Sequence, residues 1–72
     1  MRDYITEFVR KHEHIKSFHA LYLSRETGHI YCDFIVDYQL EDWEGTEQEF
    51  ASYMAIKYPD NNVVLTIETE FV

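Results

Sequence analysis

The sequence is poor in the residues that build disulfides, phosphate loops and membrane spans. It has one cysteine, one proline and two glycines among 72 residues. A single cysteine excludes an internal disulfide, so Cys32 is expected to be a small buried hydrophobic residue in a reducing compartment. Gly28 and Gly45 cannot form a glycine-rich phosphate loop. No apolar run approaches the roughly 18 residues of a membrane span, and no basic, apolar leader is present. The chain is therefore expected to be soluble.

Basic residues are also scarce. Six Lys and Arg stand against fourteen Asp and Glu, for a formal net charge of -8 with His neutral. This charge repels phosphates and anionic lipids, so divalent cations are expected ligands and nucleic acid is not. No enzyme activity is expected either, because no serine lies in a nucleophile-elbow motif and the one cysteine is expected to be buried.

Hydrophobic and aromatic residues are abundant, at 46% and 17%. The chain should therefore fold, as a single domain over residues 1–72. A domain this small has a thin core, so stabilisation by a second copy is expected.

The hydrophobic pattern predicts the order αββαβ. Four apolar residues recur at helical spacing near the start: Tyr4, Ile5, Phe8 and Val9. The segments "IKSFHALYLS" and "HIYCDFIVDY" predict a hairpin closed by the turn "RETG".

The second half of the chain predicts a helix and a strand. The sequence Thr46–Glu49 has the form of a capping box, and a second helix is expected from there to about Tyr58. The alternation in "NVVLTIETEF" predicts a third strand. A right-handed crossover makes this strand parallel to the second. The expected fold class is α+β, a three-stranded mixed sheet with two helices on one face.

The sheet is expected to have one helix-covered face and one open face. Pairing Ser24 with Gly28 places Leu23 opposite His29, Leu21 opposite Tyr31 and His19 opposite Asp33. The helix-facing set is then Ile30, Cys32, Phe34, Val36, Val63, Leu65 and Ile67. The open face would carry Tyr31, Asp33, Ile35, Val64, Thr66, Glu68 and Glu70, with His19, Leu21 and Leu23 from the first strand. This surface is too apolar to remain in water, so a homodimer is expected to cover it.

Asp33 is a carboxylate within an apolar strand. Because burial of an unpaired charge is costly, its side chain is expected either to face water or to contact a cationic group. Strand directions predict that His19, Asp33, Glu68 and Glu70 meet at one edge of the sheet. One imidazole with three carboxylates is a ligand set for Zn²⁺, Mn²⁺ or Fe²⁺. The alternative is a metal-free cross-strand pair of His19 and Asp33, with both glutamates solvated. His12 and His14 are expected to cap the end of the first helix.

These stretches resemble the C-terminal cytoplasmic domain of the cation diffusion facilitator transporters. The resemblance runs from "ITEFVRKHEHIKSFHALYLSRETGHIYCDFIVDY" to "YPDNNVVLTIETEF", in the αββαβ order. Its specific points are a histidine at the head of strand one followed by "ALYLSRETG", the acidic "FIVDY" after strand two, and the closing "VVLTIETEF".

The resemblance implies a ferredoxin-like homodimer beneath a proton-coupled metal exporter, cut from the C-terminus of a larger membrane transporter. The domain would be cytoplasmic, contact the transmembrane domain, and bind metal at the dimer interface to bias the transporter's conformation. His19 matches the strand-one ligand, Asp33 falls where a strand-two histidine often ligates, and Glu68 and Glu70 fall where a histidine and an aspartate close the site. The carboxylates favour Mn²⁺ or Fe²⁺ over Zn²⁺. Two alternatives remain: a purely structural homodimerisation domain without metal, and a free-standing small-ligand sensor.

Overall fold

The computed structural model describes residues 1–70, and it has the expected order of elements. Helix α1 spans Arg2–Arg10 and is followed by strands β1, Ile15–Leu23, and β2, Ile30–Val36. Helix α2 spans Trp43–Lys57 and leads into strand β3, Val63–Thr69. Strand β2 is central, antiparallel to β1 and parallel to β3. The α+β class with a three-stranded mixed sheet is therefore confirmed, and the arrangement is compatible with a ferredoxin-like fold.

Both helices pack on one face of the sheet, where alternate residues of β2 are fully buried. The core consists of Ile5, Phe8, Ile15, Ile30, Cys32, Phe34, Val36, Phe50 and Met54. Half-buried Val63, Leu65 and Ile67 pack against it from β3, whereas their neighbours Val64, Thr66 and Glu68 are exposed. The predicted helix-facing set is confirmed, because the period of two in β2 and β3 is unbroken.

Strand β1 departs from the predicted register because it contains two irregularities. His19 pairs with Asp33 as expected, but Tyr22 and not Leu21 pairs with Tyr31, and Leu23 pairs with Ile30. Between them Ala20 has a φ of 55°, the left-handed conformation typical of a bulge. An extra residue shifts every later side chain to the opposite face. The expected placement of Leu21 and Leu23 on the open face is therefore wrong.

Helix α2 begins four residues earlier than the capping-box pattern suggested, because that pattern would make Thr46 the N-cap. Its N-cap is Asp42, whose carboxylate Oδ1 accepts a hydrogen bond of 2.8 Å from the Gly45 N–H. Thr46 lies inside the first turn, where its hydroxyl donates to the Asp42 carbonyl at 2.9 Å. An aspartate at the N-cap stabilises the helix because it accepts hydrogen bonds from N–H groups of the first turn. Its negative charge also interacts favourably with the positive end of the helix dipole.

Two tyrosines join the helices through reciprocal hydrogen bonds. The Tyr4 hydroxyl donates to the Tyr53 carbonyl at 2.6 Å, and the Tyr53 hydroxyl donates to the Tyr4 carbonyl at 2.5 Å. The two rings are stacked with centroids 4.1 Å apart. Burial is the main cause that raises the pKa of Tyr53 above its ordinary value. The pair therefore fixes how α1 and α2 lie against each other.

Replacing either tyrosine by phenylalanine should remove one hydrogen bond and preserve the ring stack. We expect Tyr4→Phe and Tyr53→Phe each to lower the free energy of unfolding by about 1 kcal/mol. Urea denaturation measures this loss. The exposed Tyr38, at 83% accessibility, provides the matched control Tyr38→Phe, which should have no effect. Equal losses in all three variants would contradict the role of the reciprocal pair.

Candidate functional site

The face of the sheet that points away from the helices mixes apolar and polar side chains. We call it the open face. It consists of Ser17, His19, Tyr22, Tyr31, Asp33, Ile35, Val64, Thr66 and Glu68. Tyr22 is 61% exposed and its ring centroid lies 6.2 Å from that of Tyr31. Such a patch, with aromatic rings beside ionisable groups, is typical of an association surface.

His19 and Asp33 lie opposite each other near the middle of this face. Their Cα atoms are partners in the β1–β2 ladder, as the sequence predicted. Among the contacts of residues 1–70, however, no hydrogen bond or ion pair joins the two side chains. The imidazole Nε2 of His19 instead lies 3.1 Å from the Ser17 hydroxyl. Ser17 thus holds the ring at Nε2, and among residues 1–70 no side-chain hydrogen bond or ion pair engages Nδ1 of His19 or the Asp33 carboxylate.

The two glutamates lie further along the sheet. Thr66 is the partner of Asp33 in the parallel ladder, and Glu68 is the partner of Ile35. Glu68 is therefore a diagonal neighbour of Asp33 on the same face. Glu70 follows the end of β3 and lies about 13 Å beyond the level of Asp33, at 3.3 Å per residue. The structure places His19 and Asp33 opposite each other and Glu68 further along the same face, and it leaves Glu70 apart.

One chain does not assemble a complete metal centre from these donors. Within residues 1–70, no group of three or more His, Cys, Asp and Glu side chains is close enough to hold a metal ion. The donor types still fit a divalent cation of borderline or hard character, since one imidazole and two carboxylates share a face. A metal on the open face would therefore need further donors, from water or from a second copy of the chain.

The two histidines after α1 have different roles. The Nδ1 atom of His12 lies 2.6 Å from the Phe8 carbonyl and Nε2 lies 2.9 Å from Glu49. His12 therefore caps the helix, as predicted. His14 does not cap the helix. Its Nδ1 lies 3.0 Å from the carboxylate of Asp37, the residue that follows β2. The expected capping role of His14 is wrong, because the chain has already turned into β1.

Asp37, just after β2, is a carboxylate whose neighbours stabilise its charged form. The hydrogen bond from His14 is the main cause that holds the pKa of Asp37 below its usual value, and the Gln39 N–H and the Lys16 ammonium add to it. A depressed carboxyl pKa stabilises the fold above the pKa of the unfolded chain, and this stabilisation is lost as pH falls through the folded value.

We therefore expect the wild-type melting temperature to fall more steeply between about pH 5 and pH 3 than that of Asp37→Asn. Asparagine has no charge to lose, but it can still accept the bond from His14. Thermal melts followed by circular dichroism at each pH measure the difference. The Asp60→Asn variant at an exposed turn is the control, and identical slopes for Asp37→Asn and wild type would exclude the linkage.

Cys32 is buried in the core and faces the helices, as predicted. Burial, with a smaller effect from Asp33, raises the pKa of its thiol to about 12. The thiol is therefore protonated at neutral pH and does not contribute to a metal site on the open face.

Sequence reasoning missed Ser17 and Tyr22 as members of the open face. A signal for the irregular strand was present, because the apolar residues Ile15, Phe18 and Leu21 recur every three positions. A regular strand cannot turn residues with that spacing to one face. Phe18 does face the helices, and the Arg2 guanidinium lies 5.3 Å from its ring centroid.

Three comparisons with known proteins bear on the identity of the chain. No family model, no curated protein and no solved structure matches it. Among residues 1–70, neither helix has the length and apolar character needed to cross a membrane.

Proposed function

We propose that this chain is the cytoplasmic regulatory and dimerisation domain of a divalent-cation efflux transporter. In this proposal two copies associate through their open faces and bind Zn²⁺, Mn²⁺ or Fe²⁺ between them. Metal binding would then favour one arrangement of the two copies and thereby one conformation of the attached membrane domain. The open face, with His19 and Asp33 side by side, is the observation that carries the proposal.

Three features support it. The αββαβ order with both helices on one side agrees with the resemblance described above. The ring of His19 is held at Nε2 by Ser17, which is the type of outer contact that orients a histidine ligand. The formal charge of -8 favours capture of a cation.

A metal-free dimerisation domain is the second candidate. It is favoured by the lack of a three-donor group within one chain, over the residues described. In that case the tyrosines and Ile35 of the open face would provide the association energy, and His19 with Asp33 would only fix its register.

Metal titration by thermal melting separates the two functions. A metal bound only by the folded dimer raises the melting temperature in proportion to the logarithm of its concentration. We expect such a rise with at least one of Zn²⁺, Mn²⁺, Fe²⁺ and Co²⁺, and its loss in the double variant His19→Ala, Asp33→Ala. The control is His29→Ala with Asp60→Ala, which removes the same groups elsewhere.

Sedimentation with and without chelator completes the test. A dimer that chelator dissociates supports the metal-dependent function. A dimer that persists unchanged, with no metal-induced rise in melting temperature, supports a metal-free dimerisation domain and contradicts the metal-dependent function.

A further inference from the structure

The outer edge of β3 carries a row of unpaired backbone groups. At the start of the strand the Ile30 N–H donates to the Asn62 carbonyl at 2.7 Å. At its end the Glu70 N–H donates to the Val36 carbonyl, also at 2.7 Å. Between these two bonds the parallel ladder has no register shift, and in such a ladder every second residue directs both backbone groups to the same neighbour. The even-numbered residues therefore bond to β2, and the odd-numbered residues point outwards.

Four residues of β3 thus have outward N–H and C=O groups: Val63, Leu65, Ile67 and Thr69. Among residues 1–70 no strand lies beyond β3, and no backbone group of a turn or loop bonds to these four. Proline and lysine, which natural proteins place on edge strands to block pairing, do not occur in β3. The edge can therefore accept one more strand.

A groove of about 400 Å³ lies beside this edge, between β3 and α2. It is lined by Glu47, Gln48, Ala51, Val63, Val64 and Leu65. The strand side is apolar, and Ala51 adds only a methyl group from the helix. The polar lining is Glu47 and Gln48, both exposed on α2. An apolar groove with a carboxylate at its rim fits a side chain with an aliphatic stem and a cationic end, which is lysine or arginine.

The elements that flank the groove are acidic. Helix α2 and strand β3 together carry four glutamates and one lysine. That lysine, Lys57, is engaged on the side of α1, where its Nζ lies 5.0 Å from the centroid of the Tyr4 ring. Glu44 lies one turn before Glu47 on the same flank of α2. These carboxylates repel a second copy of a chain whose formal charge is -8, and they attract a cationic segment.

We propose that this edge and its groove bind an extended, basic segment of a partner protein, which joins the sheet as a fourth strand. Antiparallel pairing is the slightly more stable arrangement, and in it alternate residues of the segment bond to the four outward positions of β3. The side chains of those residues point to the side of α2, as the side chain of Leu65 does. Lysine or arginine there lays its stem on Leu65 and Ala51 and brings its cation to Glu47.

This site goes beyond the proposed function and is independent of it. It shares only Val64 with the open face, and it involves neither metal nor His19. A strand added at the edge leaves the open face uncovered, so both surfaces can be occupied together. Loss of metal binding would therefore leave the edge site intact.

Amide exchange in the presence of a synthetic peptide tests the site on the full chain. The probe is the heptapeptide Lys-Thr-Lys-Thr-Lys-Thr-Lys with blocked ends. We expect the amides of the four outward residues to exchange rapidly in the free chain and to become protected when the peptide binds. The amides of Val64, Thr66 and Glu68 are already bonded to β2 and should change little. A peptide with glutamate in place of each lysine should not bind.

Two matched charge reversals separate this site from general attraction to an acidic chain. Glu47→Lys places a cation at the groove and should raise the dissociation constant of the peptide by at least about tenfold. Glu13→Lys makes the same change in net charge at an exposed turn after α1, and should raise the constant less than about threefold. N-methylation of the lysines of the peptide removes the bonds to β3 and should abolish binding, whereas N-methylation of its threonines should not.

Three results would overturn the proposal. They are unchanged exchange of the four outward amides at millimolar peptide, equal effects of the two charge reversals, and binding that survives N-methylation of the lysines. Protection of the same four amides by self-association, without peptide, would assign the edge to a second copy and would also overturn it.

Discussion

The Phe34→Ala variant is expected to lose most of the stability of the fold. Phe34 is fully buried at the centre of β2, with its ring centroid 4.7 Å from that of Phe50 and 6.0 Å from that of Phe8. It therefore joins both helices to the middle strand. Truncation of such a phenylalanine costs about 3–5 kcal/mol, because the contacts are lost and a cavity remains. A chain of this length has a total stability on the order of 5 kcal/mol.

Urea denaturation followed by far-ultraviolet circular dichroism measures this loss. Val64→Ala, on an exposed position of β3, is the matched control and should cost less than about 1 kcal/mol. Phe34→Leu should lie between the two, since it retains most of the apolar volume. A similar midpoint for Phe34→Ala and Val64→Ala would show that the helices do not pack on Phe34.

The native Cys32 thiol is expected to react at least about a thousandfold more slowly than the same thiol in urea. The thiolate is the reactive form, and a pKa near 12 leaves far less of it at pH 8 than the unfolded value of about 8.5 does. Burial on the helix side of β2 adds a steric barrier. Native reaction should therefore proceed only through unfolding.

The rate of reaction with an aromatic disulfide reagent at pH 8 provides the measurement. A chain with Cys32→Ala and Tyr38→Cys serves as the control, because position 38 is 83% exposed and lies outside the open face, so its thiol should react at the ordinary rate. If native Cys32 reacted within tenfold of its rate in urea, the assignment of Cys32 to the helix-covered side of β2 would be wrong.

The regular parts of the fold were predictable because their hydrophobic periods are clean. The alternation in β2 and β3 separated core residues from exposed ones, and the spacing of Ile5 and Phe8 fixed the inner face of α1. The start of α2 was missed because two cap signals compete: Thr46 begins a capping-box pattern, but Asp42 supplies the N-cap. The change of face within β1 was not predicted because Ala20 adopts a left-handed conformation, which alanine rarely does.

The candidate site was predictable only in part. His19 pairs with Asp33 as predicted because two differences cancel: the turn pairs Leu23 with Ile30 where His29 was expected, and the extra residue of β1 between His19 and Tyr22 restores the predicted offset. The pairing of Asp33 with Thr66 sets the position of the two glutamates along β3, and no hydrophobic pattern fixes that offset between parallel strands. Whether metal occupies the open face stays a prediction.

A calorimetric titration of the chain with Zn²⁺, Mn²⁺, Fe²⁺ and Co²⁺ tests the central claim most directly. The claim is that the open face binds a divalent cation between two copies through His19 and Asp33. It predicts saturable binding of at least one of these metals, coupled to dimer formation and lost in the variant with His19→Ala and Asp33→Ala. The absence of saturable binding for all four metals, or binding that survives this substitution unchanged, would contradict it.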